Sequence, residues 1–132
     1  MKGIKGLIET SFSDWDGKVC SVIFVSNCNF RCPYCFNKEL ALCSSSKNDI
    51  DFKYVLERLK VNKDYIDGVC ITGGEPTLNT SLPSAVRKIK ALGLKVKLDT
   101  NGSQPAVLNY LIESNLVDYV AMDIKTSEDL YN

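Results

Sequence analysis

The chain has 132 residues, room for one small domain, and an ordinary globular composition with 45% hydrophobic and 24% charged residues. Lysine and arginine number 16, as do aspartate and glutamate, so bulk charge offers no attraction to nucleic acid or an anionic membrane surface. Histidine is absent, which excludes every Cys/His zinc pattern and every histidine general base, and no apolar run approaches the length of a membrane span.

The N-terminal segment MKGIKGLIETSFSDWDGK carries two early lysines and then turns polar and acidic. It lacks the apolar core and small-residue cleavage site of a signal peptide, so the expected location is cytoplasmic. Trp15 sits in the turn-like stretch DWDG and is expected to cover the open end of the core. Residues 21–26 (SVIFVS) are a short β-branched apolar run and read as a buried strand. A cysteine cluster follows at once, and residues 41–49 (ALCSSSKND) read as a polar loop. In residues 51–60 the apolar positions Phe52, Val55, Leu56 and Leu59 have the spacing of an amphipathic helix.

Residues 68–72 (GVCIT) form a second expected strand, ended by Gly73 and Gly74. Asn79, Thr80 or Ser81 can cap a helix through Ala85, Val86, Ile89 and Leu92, with Gly93 as its stop. Residues 95–99 give a third strand, closed by Asn101 and Gly102, and residues 105–114 a helix with Pro105 in its first turn. Residues 117–124 give a fourth strand, and residues 126–132 look like the start of another helix. Strands alternating with helices imply an α/β fold with parallel strands and right-handed crossovers. Four strands with bare edges make a small unit, so residues 1–132 are expected to be a single domain truncated at the C-terminus.

Six cysteines without a secretory signal argue for metal or redox chemistry rather than disulfides. Cys28, Cys32 and Cys35 lie within eight residues, in a loop leaving a strand, and can converge on one soft metal centre. A four-iron cluster takes four ligands, so three thiolates leave one iron open to a substrate or cofactor. A structural zinc would need a fourth ligand, for which Cys43 is the nearest candidate. Cys70 and Cys20, within or at the start of apolar strands, read as small buried hydrophobes.

CNFRCPYC resembles the CxxxCxΦC signature of radical S-adenosylmethionine (SAM) enzymes, with Tyr34 as the aromatic Φ. That resemblance implies a [4Fe–4S] cluster on Cys28, Cys32 and Cys35 and SAM on the open iron. It makes the fold a partial (β/α) radical SAM barrel, with about four of the usual six strands. The Gly73-Gly74-Glu75-Pro76 segment looks like the family's contact with the SAM amino group. On this reading the glycines let the backbone approach the ligand and Glu75 accepts from an ammonium. A Gly74→Val change should then spare the cluster and weaken SAM binding.

The segments around Asp99-Thr100-Asn101-Gly102 and Asp123-Ile124-Lys125 resemble motifs of glycyl-radical-enzyme activases. By that likeness Asp99 and Lys125 help hold SAM, with Tyr34 and Asn101 also among its contacts. Asp99, Thr100, Met122 and Asp123 would correspond to a monovalent-cation site. No catalytic residue is expected beyond the cluster and SAM. The resemblance is strongest to the activating protein of anaerobic ribonucleoside-triphosphate reductase. It implies reductive cleavage of SAM to a 5′-deoxyadenosyl radical, a glycyl radical enzyme as partner, and a flavodoxin- or ferredoxin-type reductant. The alternatives are a radical SAM enzyme acting on a small molecule or peptide, or a non-catalytic iron–sulfur electron-transfer module.

Overall fold

A computed structural model describes residues 1–42, 48–125 and 127. Among the described residues five strands form one sheet in the order β1-β2-β3-β4-β5. They are β1 (Ile4–Ser11), β2 (Cys20–Val25), β3 (Gly68–Gly73), β4 (Lys95–Thr100) and β5 (Tyr119–Met122). From β2 to β5 the pairings are parallel, as the alternation of apolar strands and helices leads one to expect.

The strand β1 was not anticipated; it pairs antiparallel with β2 and forms one edge of the sheet. Its register slips between Ile4 and Gly6 and again between Ile8 and Ser11. Each extra residue moves the following side chains to the opposite face, so Ile4, Leu7 and Ile8 show no period of two. A two-residue-period reading of IKGLIETS therefore finds no strand there.

Four helices follow: α1 (Lys38–Ala41), α2 (Phe52–Asn62), α3 (Leu82–Ala91) and α4 (Pro105–Glu113). Asp51 caps α2, its carboxylate accepting from the Lys53 N–H at 3.0 Å. Before α3 the Asn79 side chain accepts from both the Ser81 N–H and the Ser81 hydroxyl, while Ser81 itself takes the cap position. Gly93 ends that helix in the left-handed region with φ of +85°. The helix α1 precedes the segment expected to be a loop and shares only Ala41 with it, and Cys43 lies outside the described residues. So does the helix expected from residue 126 onward, apart from Ser127.

The two faces of the sheet differ in chemistry. On one, Ile23, Val25, Val69, Ile71, Val96 and Leu98 pack against the apolar stripes of α2, α3 and α4 and form the main core. On the other, Cys20, Val22 and Cys70 form a smaller cluster beneath Trp15, with Phe24 at its side. Cys20, Cys70 and Trp15 are buried, as their settings in the sequence suggest. Asp118 joins the layers: its carboxylate accepts from the Val96 N–H and the Lys90 ammonium, which fixes where β5 begins beside β4. No helix among the described residues is long and apolar enough to cross a membrane.

Gly68 lies where the second face narrows. A Cβ there would stand 2.6 Å from the Lys95 carbonyl oxygen and 2.7 Å from the Trp15 ring. The expected outcome of Gly68→Ala is a loss of about 1–3 kcal/mol in urea unfolding, the cost of overpacking a tight site. Unchanged stability would show that the Trp15 turn yields freely.

Candidate functional site

Because β2 to β5 run parallel, their C-terminal ends share one edge, and each delivers its loop there. The cysteine loop leaves β2, Gly74-Glu75-Pro76 leaves β3, Asn101-Gly102 leaves β4 and Asp123-Ile124-Lys125 leaves β5. Together they surround a cleft of about 650 Å³. Every residue that the sequence assigns to cluster or cofactor lines it: the three cysteines, Tyr34, Gly73, Gly74, Glu75, Asp99, Asn101 and Lys125. Thr100 and Asp123 line it too, whereas the Met122 side chain lies against Gly102 and is half exposed.

The two glycines also serve the packing of the protein itself. A Cβ on Gly73 would stand 2.3 Å from the Val25 carbonyl oxygen, and one on Gly74 only 2.0 Å from that of Asn27. They let the β3 exit pack against the stem of the cysteine loop, where Gly74 N–H donates to Val25 and Glu75 N–H to Asn27. Asn27 itself adopts φ of +76°, a left-handed conformation that asparagine tolerates better than most residues. Its N–H donates to Leu40 and the Cys28 N–H to Ala41, so α1 holds the loop from the other side. The expectation that Gly74→Val spares the cluster is therefore corrected: a side chain there strikes the residue preceding Cys28.

Glu75 is 1% exposed and its carboxylate is filled by the protein. Oε1 accepts from the Thr77 N–H, the Thr77 hydroxyl and, at 2.6 Å, the Thr100 hydroxyl, while Oε2 accepts from the Asn101 N–H at 2.7 Å. An incoming ammonium would have to compete with all of these, so the side chain works as an internal tie between two loops. Asn101 extends the tie to the third: its amide donates to Asn29 Oδ1 at 3.1 Å and lies 3.9 Å from Cys28 Sγ. Asn29 returns a bond to the Ser103 hydroxyl.

The thiol side of the cleft is more open. Burial pushes the Cys28 thiol pKa up, although the Phe30 N–H on its sulfur opposes the shift. Among the described residues no three Cys, Asp or Glu side chains form a single-ion site. The donor set, three thiolates from one loop along the wall of one cleft, has the soft-ligand chemistry of an iron–sulfur cluster with a ligand beside it. At the mouth, the Lys125 ammonium lies 3.2 Å from Asp123 Oδ2 and 5.8 Å from the centre of the Tyr34 ring. Burial alone would lower the Lys125 pKa, but the bond and charge of Asp123 outweigh it and leave the value raised. Lysine therefore stays cationic in the cleft at neutral pH.

Several lining residues went unmarked in the sequence, Lys97 among them. Lys97 stands two positions before Asp99 on β4, and a strand period of two places both on one face. The stretch KVKLD carried that signal.

Comparisons with known proteins agree with this arrangement. The family model described as the radical SAM superfamily matches residues 22–132. A Methanocaldococcus jannaschii protein named as a glycyl-radical enzyme activating enzyme is 37% identical over 97% of this chain and 52% of its own length. The 7,8-dihydro-6-hydroxymethylpterin dimethyltransferase of the same organism is 32% identical over 70% of this chain and 19% of its own. The chain thus spans about half the length of the first relative and less of the second. The crystal structure of QueE from Escherichia coli superposes with a TM-score of 0.54 at 19% identity, covering 78% of this chain and 50% of that one, a likeness of fold.

Two outcomes follow from the ties around Glu75. Gly74→Ala should lower the iron and sulfide taken up on anaerobic reconstitution, measured by colorimetric assay; full uptake would mean that the stem moves without loss. Glu75→Gln puts an amide donor among donors and should cost about 1–3 kcal/mol in chemical unfolding. A neutral result would relieve Glu75 of its structural role.

Proposed function

The chain belongs to the radical SAM superfamily, and on that premise we propose that it binds a [4Fe–4S] cluster through Cys28, Cys32 and Cys35 and SAM beside it. SAM reductively cleaved at such a cluster supplies a 5′-deoxyadenosyl radical. The observation that carries the reading is the single cleft in which the three thiols face the ends of the parallel strands. Within it Gly73 and Gly74 present main chain alone, Asp99 offers a carboxylate, and Lys125 a cation. These groups suit a ligand with amino, carboxylate and hydroxyl functions.

The chain's own work in this reading is to place and enclose. The Cys28 stem is held by Gly74, Glu75 and α1 before any cofactor arrives, which lessens the ordering needed on binding. The ring of Tyr34 and the stem of Lys125 meet at the mouth, where the Tyr34 hydroxyl also reaches the Lys125 carbonyl at 3.4 Å. Both can limit water around a bound ligand.

For the target we favour a backbone glycine of a partner glycyl radical enzyme, such as an anaerobic ribonucleoside-triphosphate reductase. The name of the M. jannaschii relative, 37% identical across 97% of this chain, supports it. An electron donor of flavodoxin or ferredoxin type would complete the reaction. A second reading, a small-molecule substrate, is favoured by the pterin dimethyltransferase among the relatives.

Anaerobic reconstitution followed by EPR of the reduced protein tests the first step. A [4Fe–4S]⁺ signal that changes on adding SAM, with 5′-deoxyadenosine as product, is the expected result; Cys32→Ala should abolish both. A signal indifferent to SAM would refute the cleft as a SAM site. The target is tested by incubation with a candidate reductase: a glycyl-radical doublet, lost in the reductase's Gly→Ala variant, is expected, and product formation without any protein radical would favour the small-molecule reading.

A further inference from the structure

Beneath the cofactor cleft, on the face of the sheet away from the helices, Lys97 makes two contacts in opposite directions. Its ammonium lies 3.0 Å from Asp99 Oδ1 and donates to the Asp14 carbonyl oxygen at 2.6 Å. The first contact reaches the cleft wall and the second reaches the turn that carries Trp15. Its side chain is 13% exposed, so water competes little for either contact.

The Asp99 carboxylate is asymmetric. Oδ1 is enclosed and accepts no hydrogen bond of good angle, so the nearby Lys97 charge is what compensates it. The side chain as a whole is nevertheless 33% exposed, and that exposure lies on atoms other than Oδ1. Oδ2 has the Cys70 thiol at 3.5 Å, a weak donor on a residue that pairs with Lys97 across the parallel strands. Burial would lower the Lys97 pKa, yet the nearby Asp99 carboxylate, with Cys70 and Asp14, leaves it raised, so the cation persists through neutral pH.

We infer that Lys97 is a positioning residue for the cleft: by holding Oδ1 of Asp99 it presents Oδ2 to the hydroxyl donors of a bound nucleoside, and its bond to Asp14 ties that setting to the Trp15 turn. The inference rests on the SAM reading of the cleft. A carboxylate free to rotate can offer either oxygen in several directions; one clamped at Oδ1 by an ammonium has a single open edge. The ordering is present before the ligand arrives, and affinity gains accordingly. Lysine suits the task because its compact ammonium has several donors, enough to serve Asp99 and the Asp14 carbonyl together. Trp15, buried over Cys20 and Cys70, gives the second anchor its rigidity.

The test compares wild-type protein, Lys97→Met and Lys97→Arg after reconstitution, using SAM and free methionine as probes. Methionine has the amino and carboxylate groups but no ribose. Lys97→Met should bind SAM about tenfold more weakly by isothermal titration, the worth of roughly one hydrogen bond. Its cluster content, its reduced EPR spectrum without ligand and its response to saturating methionine should match wild type. Lys97→Arg should recover SAM affinity to within about threefold, since it keeps the cation and adds donors. Unchanged SAM affinity in Lys97→Met would overturn the inference, as would equal weakening toward methionine, which would place Lys97 at the amino-acid end. Parallel loss of cluster would also overturn it, by making Lys97 a general support of the fold. A wild-type protein that fails to bind SAM at all would instead overturn the proposed function.

Discussion

A carboxylate buried to 1% exposure holds this site together. An ionised side chain removed from water costs several kcal/mol unless its lone pairs are filled, and the protein fills those of Glu75 with donors from two loops. Thr77 belongs to the segment after β3, Thr100 is the last residue of β4 and Asn101 opens the segment after it. Satisfying Glu75 therefore requires both loops to be in place at once. Asn101 then passes the constraint to the cysteine loop through Asn29, so three loops far apart in sequence converge on one buried carboxyl group.

This tie can form only where strands end side by side. Parallel pairing from β2 to β5 brings Val25, Gly73, Thr100 and Met122 to one edge, and the loops beyond them have no other direction to go. Close approach is then a matter of volume. Gly73 and Gly74 meet the main chain of Val25 and Asn27 at distances that no Cβ permits. Asn27 accepts a left-handed backbone to complete the contact. Part of the stability is spent on these conformations so that three thiols can stand along one wall.

The parallel half of the fold was legible because β2 and β3 are largely buried and read as β-branched runs, while β4 alternates buried and more exposed residues, all between glycines and helices. The strand β1 was not, since its two register slips destroy the alternation by which an edge strand is found. The cysteines were legible because three thiols at close spacing have few structural uses. Gly74 and Glu75 were located, but their contacts within the protein were not. Spacing shows that a glycine stands at a strand end; it does not show whether a ligand or another stretch of backbone fills the space beside it. The same holds for Glu75, because two of its donors, Thr100 and Asn101, lie 25 and 26 residues ahead. Lys97 is legible from its period-two relation to Asp99, which places both on one face of β4.

The groups that order the cleft take their bonds mainly from one another. Glu75 binds Thr77, Thr100 and Asn101; Asn101 binds Asn29; Lys97 binds Asp99 and Asp14. None of these contacts depends on what enters from solvent, so this inner layer is suited to a cofactor held in a constant pose. Discrimination among targets needs side chains that are exposed and near the mouth. Tyr34, Phe36 and Ile124 meet both conditions: all three line the cleft and all three are largely exposed. They are apolar or aromatic, the residue types that contribute most to a buried protein contact. The cleft thus combines an interior fixed by its own hydrogen bonds with an exposed apolar rim, and the two can vary independently.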